Sequence, residues 1–329
     1  MLLNTSMGSF DQTKVRLDNG SIAEAASPEI LSVSRRTDIP AFYSDWFFNR
    51  LSKGRNGYVD TVNPFNQNLQ HISFRNTKFI VFWSKNPKPM VKYLDMLDGL
   101  GIDWYLQFTL NAYPMMFEPN LPPLEERIQT FKEISDKYGA DRVIWRYDPI
   151  FYVSQNLGVD VHLIKIASIL DAIEGLTNKL VISFADIDRY RKVIVNLRGT
   201  GATELSIPEQ KQFAEKLRLL IDNKGLSHLK IATCSEDVDL SAYGIGHNAC
   251  IDAELISKLS RDKGFSERTA VAGKDPGQRG SCLCTKARDI GVYDTCAHGC
   301  KYCYANITPN SAKVNFEKLK KKMNKSCLI

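Results

Sequence analysis

Short apolar, β-rich runs separated by helix-compatible segments set the tightest limit on what this chain can fold into. The runs are 30–34, 78–83, 104–109, 142–147, 179–184 and 229–234, with a weaker one at 290–293. Helix-compatible segments follow most of them, at 41–51, 88–97, 124–138, 161–173, 189–197 and 209–222. In 124–138, Leu124, Ile128, Phe131 and Ile134 recur at helical spacing with charges between them. Short buried strands alternating with helices of this length predict an α/β fold on a parallel sheet. Seven such units without a glycine-rich dinucleotide turn predict a complete or partial TIM-like (β/α) barrel, not a doubly wound sheet.

No Pro/Gly/Ser-rich linker divides the chain, so one principal domain is expected over 28–310. A polar N-terminal extension (1–27) precedes it and a lysine-rich helix or tail (311–329) follows. Residues 261–281 read as an exposed loop. The tail carries six lysines against Glu317, which is +5 of the net +6, so the body is nearly neutral. A general nucleic-acid surface is therefore weakly supported. Disorder is excluded by 16 Phe, 13 Tyr and four Trp. No run approaches the roughly 20 apolar residues of a membrane span, and the first residues lack the pattern of a secretory signal. A cytoplasmic protein without a membrane partner is expected.

Polar residues collect where the strands should end. They are Arg35, Arg36 and Asp38 after the first, Lys85 after the second, Gln107, Thr109 and Asn111 at the third, and Arg146 and Asp148 at the fourth. In a parallel α/β barrel these carboxyl ends line the face on which active sites are built. Arg35, Arg36, Lys85 and Arg146 are expected to gather around an anionic group, for which arginine offers a bidentate grip. Arg146–Asp148 and Arg36–Asp38 would otherwise be structural ion pairs. Trp46, Trp83, Trp104 and Trp145 read as core. The five histidines are scattered, and His162 and His228 fit helix or loop surfaces. Hydrolase, phosphate-loop and zinc-protease motifs do not occur.

Eight cysteines in a chain of this kind argue for metal ligation over disulfides. Cys296, Cys300 and Cys303 form a C-x3-C-x2-C triplet, with Tyr302 just before its last member. One tight loop thus presents three thiolates and leaves the fourth corner of a cubane cluster open, with Gly299 easing the turn. Cys282 and Cys284 with Cys234 and Cys250 give four further thiolates, enough for an auxiliary [4Fe–4S] cluster or a closed zinc site. Cys300, Cys303, Cys282 and Cys284 would alternatively make one zinc site.

The triplet resembles the cluster motif of radical S-adenosylmethionine enzymes, and its CxxxCxYCY form most resembles spore-photoproduct-lyase-like members. The segments SRRTDIP, FWSKNP, WRYDP and YDTCAHGCKYCYAN resemble a bacterial domain family of unknown function with such a cluster at its C-terminal end. The resemblance implies a [4Fe–4S] cluster on Cys296, Cys300 and Cys303, with S-adenosylmethionine on the open iron and Tyr302 near its adenine. It also implies reductive cleavage to a 5′-deoxyadenosyl radical, with electrons from a reductant protein. The usual motif lies near the N-terminus, so this barrel is expected to be permuted, with the cluster loop following the last strand but reaching the rim of SRRTDIP.

The sequence therefore points to a radical-type iron–sulfur enzyme acting on an unidentified anionic small molecule or nucleotide. Two other readings stand beside it: a zinc- or iron–sulfur-binding protein without radical chemistry, and a metal-independent enzyme using the Arg/Asp rim.

Overall fold

The computed structural model describes residues 10–154, 157–234, 236–275, 278, 280–321 and 325–328. The first nine residues of the N-terminal extension, part of 261–281 and Lys322 of the tail lie outside the described residues. The chain begins with an antiparallel pair, β1 (Gln12–Arg16) and β2 (Ile22–Ala26). After β3 (Ile30–Val33) come two short helices, α1 (Ile39–Phe42) and α2 (Ser44–Leu51). A second antiparallel pair, β4 (Tyr58–Val62) and β5 (Leu69–Ser73), joins the first in a four-stranded sheet of order β1-β2-β5-β4. The extension expected at 1–27 thus contributes two strands to this sheet.

The main unit then alternates as expected. It runs β6 (Phe79–Ser84), α3 (Leu94–Gly99), β7 (Asp103–Thr109), α4 (Leu124–Tyr138), β8 (Val143–Ile150) and α5 (Val159–Ile173). It continues through β9 (Lys179–Phe184), α6 (Arg191–Leu197), α7 (Ile207–Asn223), β10 (Lys230–Thr233) and β11 (Gly246–His247). Two short helices, α8 (Ala253–Leu259) and α9 (Lys263–Ala270), precede β12 (Arg288–Asp289), and α10 (Pro309–Lys320) follows. The eight parallel strands lie in the order β11-β10-β9-β8-β7-β6-β3-β12. Among the described residues the sheet is open: β11 and β12 are its edges, and no strand pair closes it. The last strand in sequence therefore pairs beside β3, the first of the sheet in sequence.

Local sequence explains the helices. Helix α4 keeps Phe131 and Ile134 buried, has Glu125 and Glu126 in its first turn and Lys137 in its last, and stops at Gly139 with φ +93°. Helix α7 starts in a capping box, Ser206 N donating to Glu209 Oε2 at 2.8 Å, with Pro208 in the first turn.

Strand alternation divides the core. Leu31 and Val33, Ile80 and Phe82, Trp104, Leu106 and Phe108, and Val143 and Trp145 pack with the helices of the outer face. Each aromatic so buried stabilises the fold by about 1.5–3 kcal/mol. Their strand neighbours Ile30, Phe79, Val81, Tyr105, Ile144 and Val181 point to the inner face, where Cys250, Ile251, Ile256, Phe265 and Cys284 cover them.

Three expectations need correction, and one is made more specific. Residues 290–293 are not a strand, because β12 ends at Asp289. Much of 261–281 is helix α9, capped by Asp262 and anchored by buried Phe265. His162 lies wholly inside, between Tyr147 and the Phe151 carbonyl. The tail docks after α10: Trp46 Nε1 donates to Lys325 O at 2.8 Å, Asp60 N to Ser326 O at 2.7 Å, and Leu328 is buried. Trp104 and Trp145 are core as expected, and so is Trp46, while Trp83 is half-buried. No helix of the described residues is long and apolar enough to cross a membrane.

Candidate functional site

Residues 294–306 form a loop closed at its base by Asp294 N donating to Ala305 O at 3.0 Å. It leaves edge strand β12 and docks on the chain after β7. Lys301 N donates to Phe117 O at 3.0 Å, and Asn120 Nδ2 to Ala297 O at 2.9 Å. Gly299 is needed here: its φ is +71°, and a Cβ would stand 3.0 Å from Asn120 Nδ2 and 3.2 Å from Pro119 Cγ.

Cys296, Cys300 and Cys303 are held within this loop, and no hydrogen bond links any two of their sulfurs. Burial is the main cause that pushes all three thiols up. Backbone N–H groups already point at sulfur, with Ala305 N donating to Cys303 Sγ at 3.3 Å. Among the described residues, Glu118 Oε2, Arg127 Nη1, His298 Nδ1 and Asn306 Oδ1, on residues of the loop and its neighbours, are buried without a partner.

Beside Cys300, Lys85 Nζ donates to Glu118 Oε1 at 2.9 Å and the Tyr302 hydroxyl donates to the same oxygen. Burial opposes both charges of this pair. Lys85 is nevertheless raised by Glu118 and Cys300, and Glu118 is lowered by Lys85, Tyr302 and Arg127. Asp38 caps α1 through Ala41 N at 2.9 Å, and binds Ser84 Oγ and Lys85 N, each at 2.8 Å. Its other contact is His298 Nε2 of the cysteine loop, at 2.7 Å. The loop therefore reaches the rim of SRRTDIP.

Cys234, Cys250, Cys282 and Cys284 meet in a second place. Cys234 Sγ lies 3.1 Å from Cys250 Sγ, and Cys284 is hydrogen-bonded to both Cys250 and Cys282. Bonds with Cys234 and Cys284, then Arg146, hold Cys250 well below the ordinary thiol value, while Cys234 and Cys284 are raised. The bond with Cys284 brings Cys282 down to about 6. The sulfurs form a chain of contacts. Among the described residues, no group of three or more Cys, His, Asp or Glu side chains stands arranged to hold a metal ion.

The expected rim cations do not converge on one empty seat, because each has an internal carboxylate. Arg146 Nε donates to Asp148 Oδ2 at 3.1 Å and Arg146 Nη1 to Cys250 Sγ at 3.2 Å, so this pair belongs to the second thiol set. The alternative pair Arg36–Asp38 is not formed. Arg35 and Arg36 instead share Asp289, at 3.6 and 3.9 Å. Burial works to raise the Asp289 carboxyl, but Arg35, Arg36, Ser32 and the Arg35 amide outweigh it and hold it low. Tyr302 is buried against Tyr113 and Phe151; the exposed aromatic of the loop is Tyr304, stacked on Tyr190.

Sequence reasoning missed Glu118, Arg127 and Asp289. The signal for two of them was a lone acid among apolar neighbours, in Met-Met-Phe-Glu118-Pro and Arg-Asp289-Ile-Gly. Glu236 is pushed up to about 8 by burial, while Phe184 N donates to it at 2.8 Å. A cavity of about 330 Å³, lined by Val62, Tyr293, Thr295 and Leu319, lies behind the cysteine loop, and no thiol lines it.

Residues 30–305 match a family described as a domain of unknown function, DUF1848. The chain belongs to the DUF1848 family. No curated protein and no solved structure matches it. The DUF1848 match ends just past Cys303 and takes in both thiol sets, all six rim candidates and Glu118.

Proposed function

We propose that this chain is an iron–sulfur enzyme of the radical S-adenosylmethionine type, with one [4Fe–4S] cluster on Cys296, Cys300 and Cys303. The observation that carries this reading is that one loop holds three thiols, with backbone N–H groups donating to sulfur, against the buried Lys85–Glu118–Tyr302 group and the Asp38-held His298. Glu118, Arg127, His298 and Asn306 each keep one buried polar atom without a partner among the described residues, and such atoms are uncommon in a finished fold. Three soft sulfurs with backbone N–H donors suit an iron–sulfur cluster. The strand order supports reading the open sheet as a partial (β/α) barrel, permuted so that its cluster strand comes last in sequence.

When bound, the reduced cluster would supply the electron that cleaves S-adenosylmethionine at the fourth iron. Lys85, Glu118 and Tyr302 form a buried, charge-balanced bracket beside Cys300 that excludes water and fixes the loop. Asp38 anchors His298 and so orients the chain between Cys296 and Cys300. Arg35 and Arg36 share the single charge of Asp289, and this imbalance makes them the seat for an anionic substrate group, a nucleotide phosphate among the candidates. Lys85 and Arg146 are already neutralised and serve mainly to position their neighbours. Tyr302 is the aromatic proposed beside the adenine. The electron donor is proposed to be a reductant protein and the compartment the cytoplasm.

The test is reduction of the anaerobically reconstituted protein with S-adenosylmethionine present. Release of 5′-deoxyadenosine and methionine is expected, with loss of both the product and the absorbance near about 400 nm in Cys300→Ala. An intact cluster that never cleaves S-adenosylmethionine would make the chain a redox or binding module.

A further inference from the structure

The second thiol set sits where the open sheet fails to close. Cys234 follows β10 and Cys250 follows β11, at one edge; Cys282 and Cys284 precede β12, at the opposite edge. Helices α8 and α9 carry the chain across the inner face between the edges. Among the described residues, Thr285 N donates to Ile251 O at 2.9 Å and Ile251 N to Cys284 Sγ at 3.3 Å across the two sides. Apolar packing of Ile251, Ile256 and Phe265 and the contacts among the sulfurs make up the rest.

We infer that Cys234, Cys250, Cys282 and Cys284 bind one tetrahedral soft metal ion of the zinc class, which clasps the two edges of the sheet together and takes no part in electron transfer. The inference does not depend on radical chemistry at the triplet.

The spacing of the sulfurs selects a single ion over a second cubane. Four thiolates about 2.3 Å from one zinc lie about 3.8 Å apart. The Cys234–Cys250 distance of 3.1 Å is closer to that value than to cubane spacing, and the proposal requires the thiols to rotate about Cα–Cβ from a chain of contacts into a tetrahedron. In a cubane each thiolate binds a different iron, so the sulfurs stand further apart; those of the triplet are not bonded to one another.

The surroundings are those of a ligating sulfur. Cys250 Sγ accepts from Arg146 Nη1 at 3.2 Å and Asn248 Nδ2 at 3.4 Å, and Cys284 Sγ accepts from a backbone amide. Charged and amide N–H donors of this kind orient ligands and offset the negative charge of a four-thiolate site. Inner-face side chains of β7 fix the backbone, Tyr105 Oη and Gln107 Nε2 donating to Cys250 O at 2.7 and 2.9 Å. One metal bound by three separate segments would turn this joint into a fixed closure.

The experiment is zinc-edge X-ray absorption on the whole protein purified anaerobically, with zinc, iron and acid-labile sulfide counted in wild type and in Cys282→Ser/Cys284→Ser. Expected are about one zinc per chain with four sulfurs at about 2.3 Å, and a zinc loss of roughly tenfold or more in the variant while iron and sulfide stay constant. About eight irons and eight sulfides, halved by the double substitution, would overturn the inference in favour of a second cubane. Absence of any metal from the wild-type set, with the thiols free or paired as a disulfide, would also overturn it. Should the variant not fold, the wild-type spectrum alone decides. Failure of the triplet reading shows separately, as wild-type protein without iron and sulfide.

Discussion

The triplet and the edge-joining set use the same side chain under different rules. Cys296, Cys300 and Cys303 come from one short loop, which the chain shapes locally through Gly299 and the Asp294–Ala305 closure. No hydrogen bond joins any two of their sulfurs, and beside them Glu118, His298 and Asn306 are hydrogen-bonded through one polar atom while the other has no partner among the described residues. Cys234, Cys250, Cys282 and Cys284 come from three segments that the whole sheet must first bring together. Their sulfurs touch, and their neighbours already donate to them. On the two proposals, the sulfurs of a cluster site and those of a single-ion site differ in how they meet, apart in the first and in contact in the second.

The sharpest way to break the comparison is at Asp289, which lies between the two regions. Its carboxylate binds Ser32 Oγ at 2.6 Å, Ser34 Oγ at 2.9 Å and Arg35 N at 2.8 Å, besides the two guanidinium groups. Asp289→Ala should cost about 1–3 kcal/mol in denaturant unfolding, because it removes the acceptor of Ser32, Ser34 and the Arg35 amide in a buried place. It should weaken metal retention at both thiol sets. Loss at one set alone would show that the two regions are independent.

Acid should act from the triplet side. Burial lowers His162 to about 4, and Tyr147 Oη and the Phe151 carbonyl hold its two ring nitrogens. The folded state favours the neutral ring. The stability this gives is full above the unfolded pKa near 6.5 and is lost as pH falls from there through about 4. The loss amounts to about 3 kcal/mol, measured as unfolding free energy against pH. Phe151 packs on Tyr302, so triplet iron should leave before the metal of the other set. A His162→Gln variant with the same pH slope would refute this source.

Gly299→Ala should cost about 1–3 kcal/mol through strain at positive φ and the clash with Asn120. It should lower the iron content and spare zinc; equal loss of both metals would erase the distinction. Cys327 lies outside both sets, in the bridge to Asp60. Cys327→Ser should change stability by less than about 1 kcal/mol and leave both metals in place.

Six of the eight parallel strands, β3 and β6 to β10, were legible because each is short, apolar and largely buried, and each falls within a few residues of an expected run; β11, two exposed residues, had no run to mark it, and β12 precedes the weak run at 290–293. The triplet was legible because its spacing is local. The four-strand sheet was not: of the five residues of β1, only Val15 is fully buried, so no apolar run marks it. Glu118 and Asp289 were missed for a different reason. Each is a single acid whose partners, Lys85 and Arg35, lie 33 and 254 residues away in sequence. The Arg146–Asp148 pair was visible, but its contact with Cys250 was not, because it depends on which inner-face positions of β8 look toward the far edge of the sheet.

Iron and acid-labile sulfide counted per chain in the anaerobically purified wild-type protein test the central claim most directly. About four irons and four sulfides are expected, all lost in Cys300→Ala. Zinc without sulfide in the wild type would contradict a cluster on the triplet.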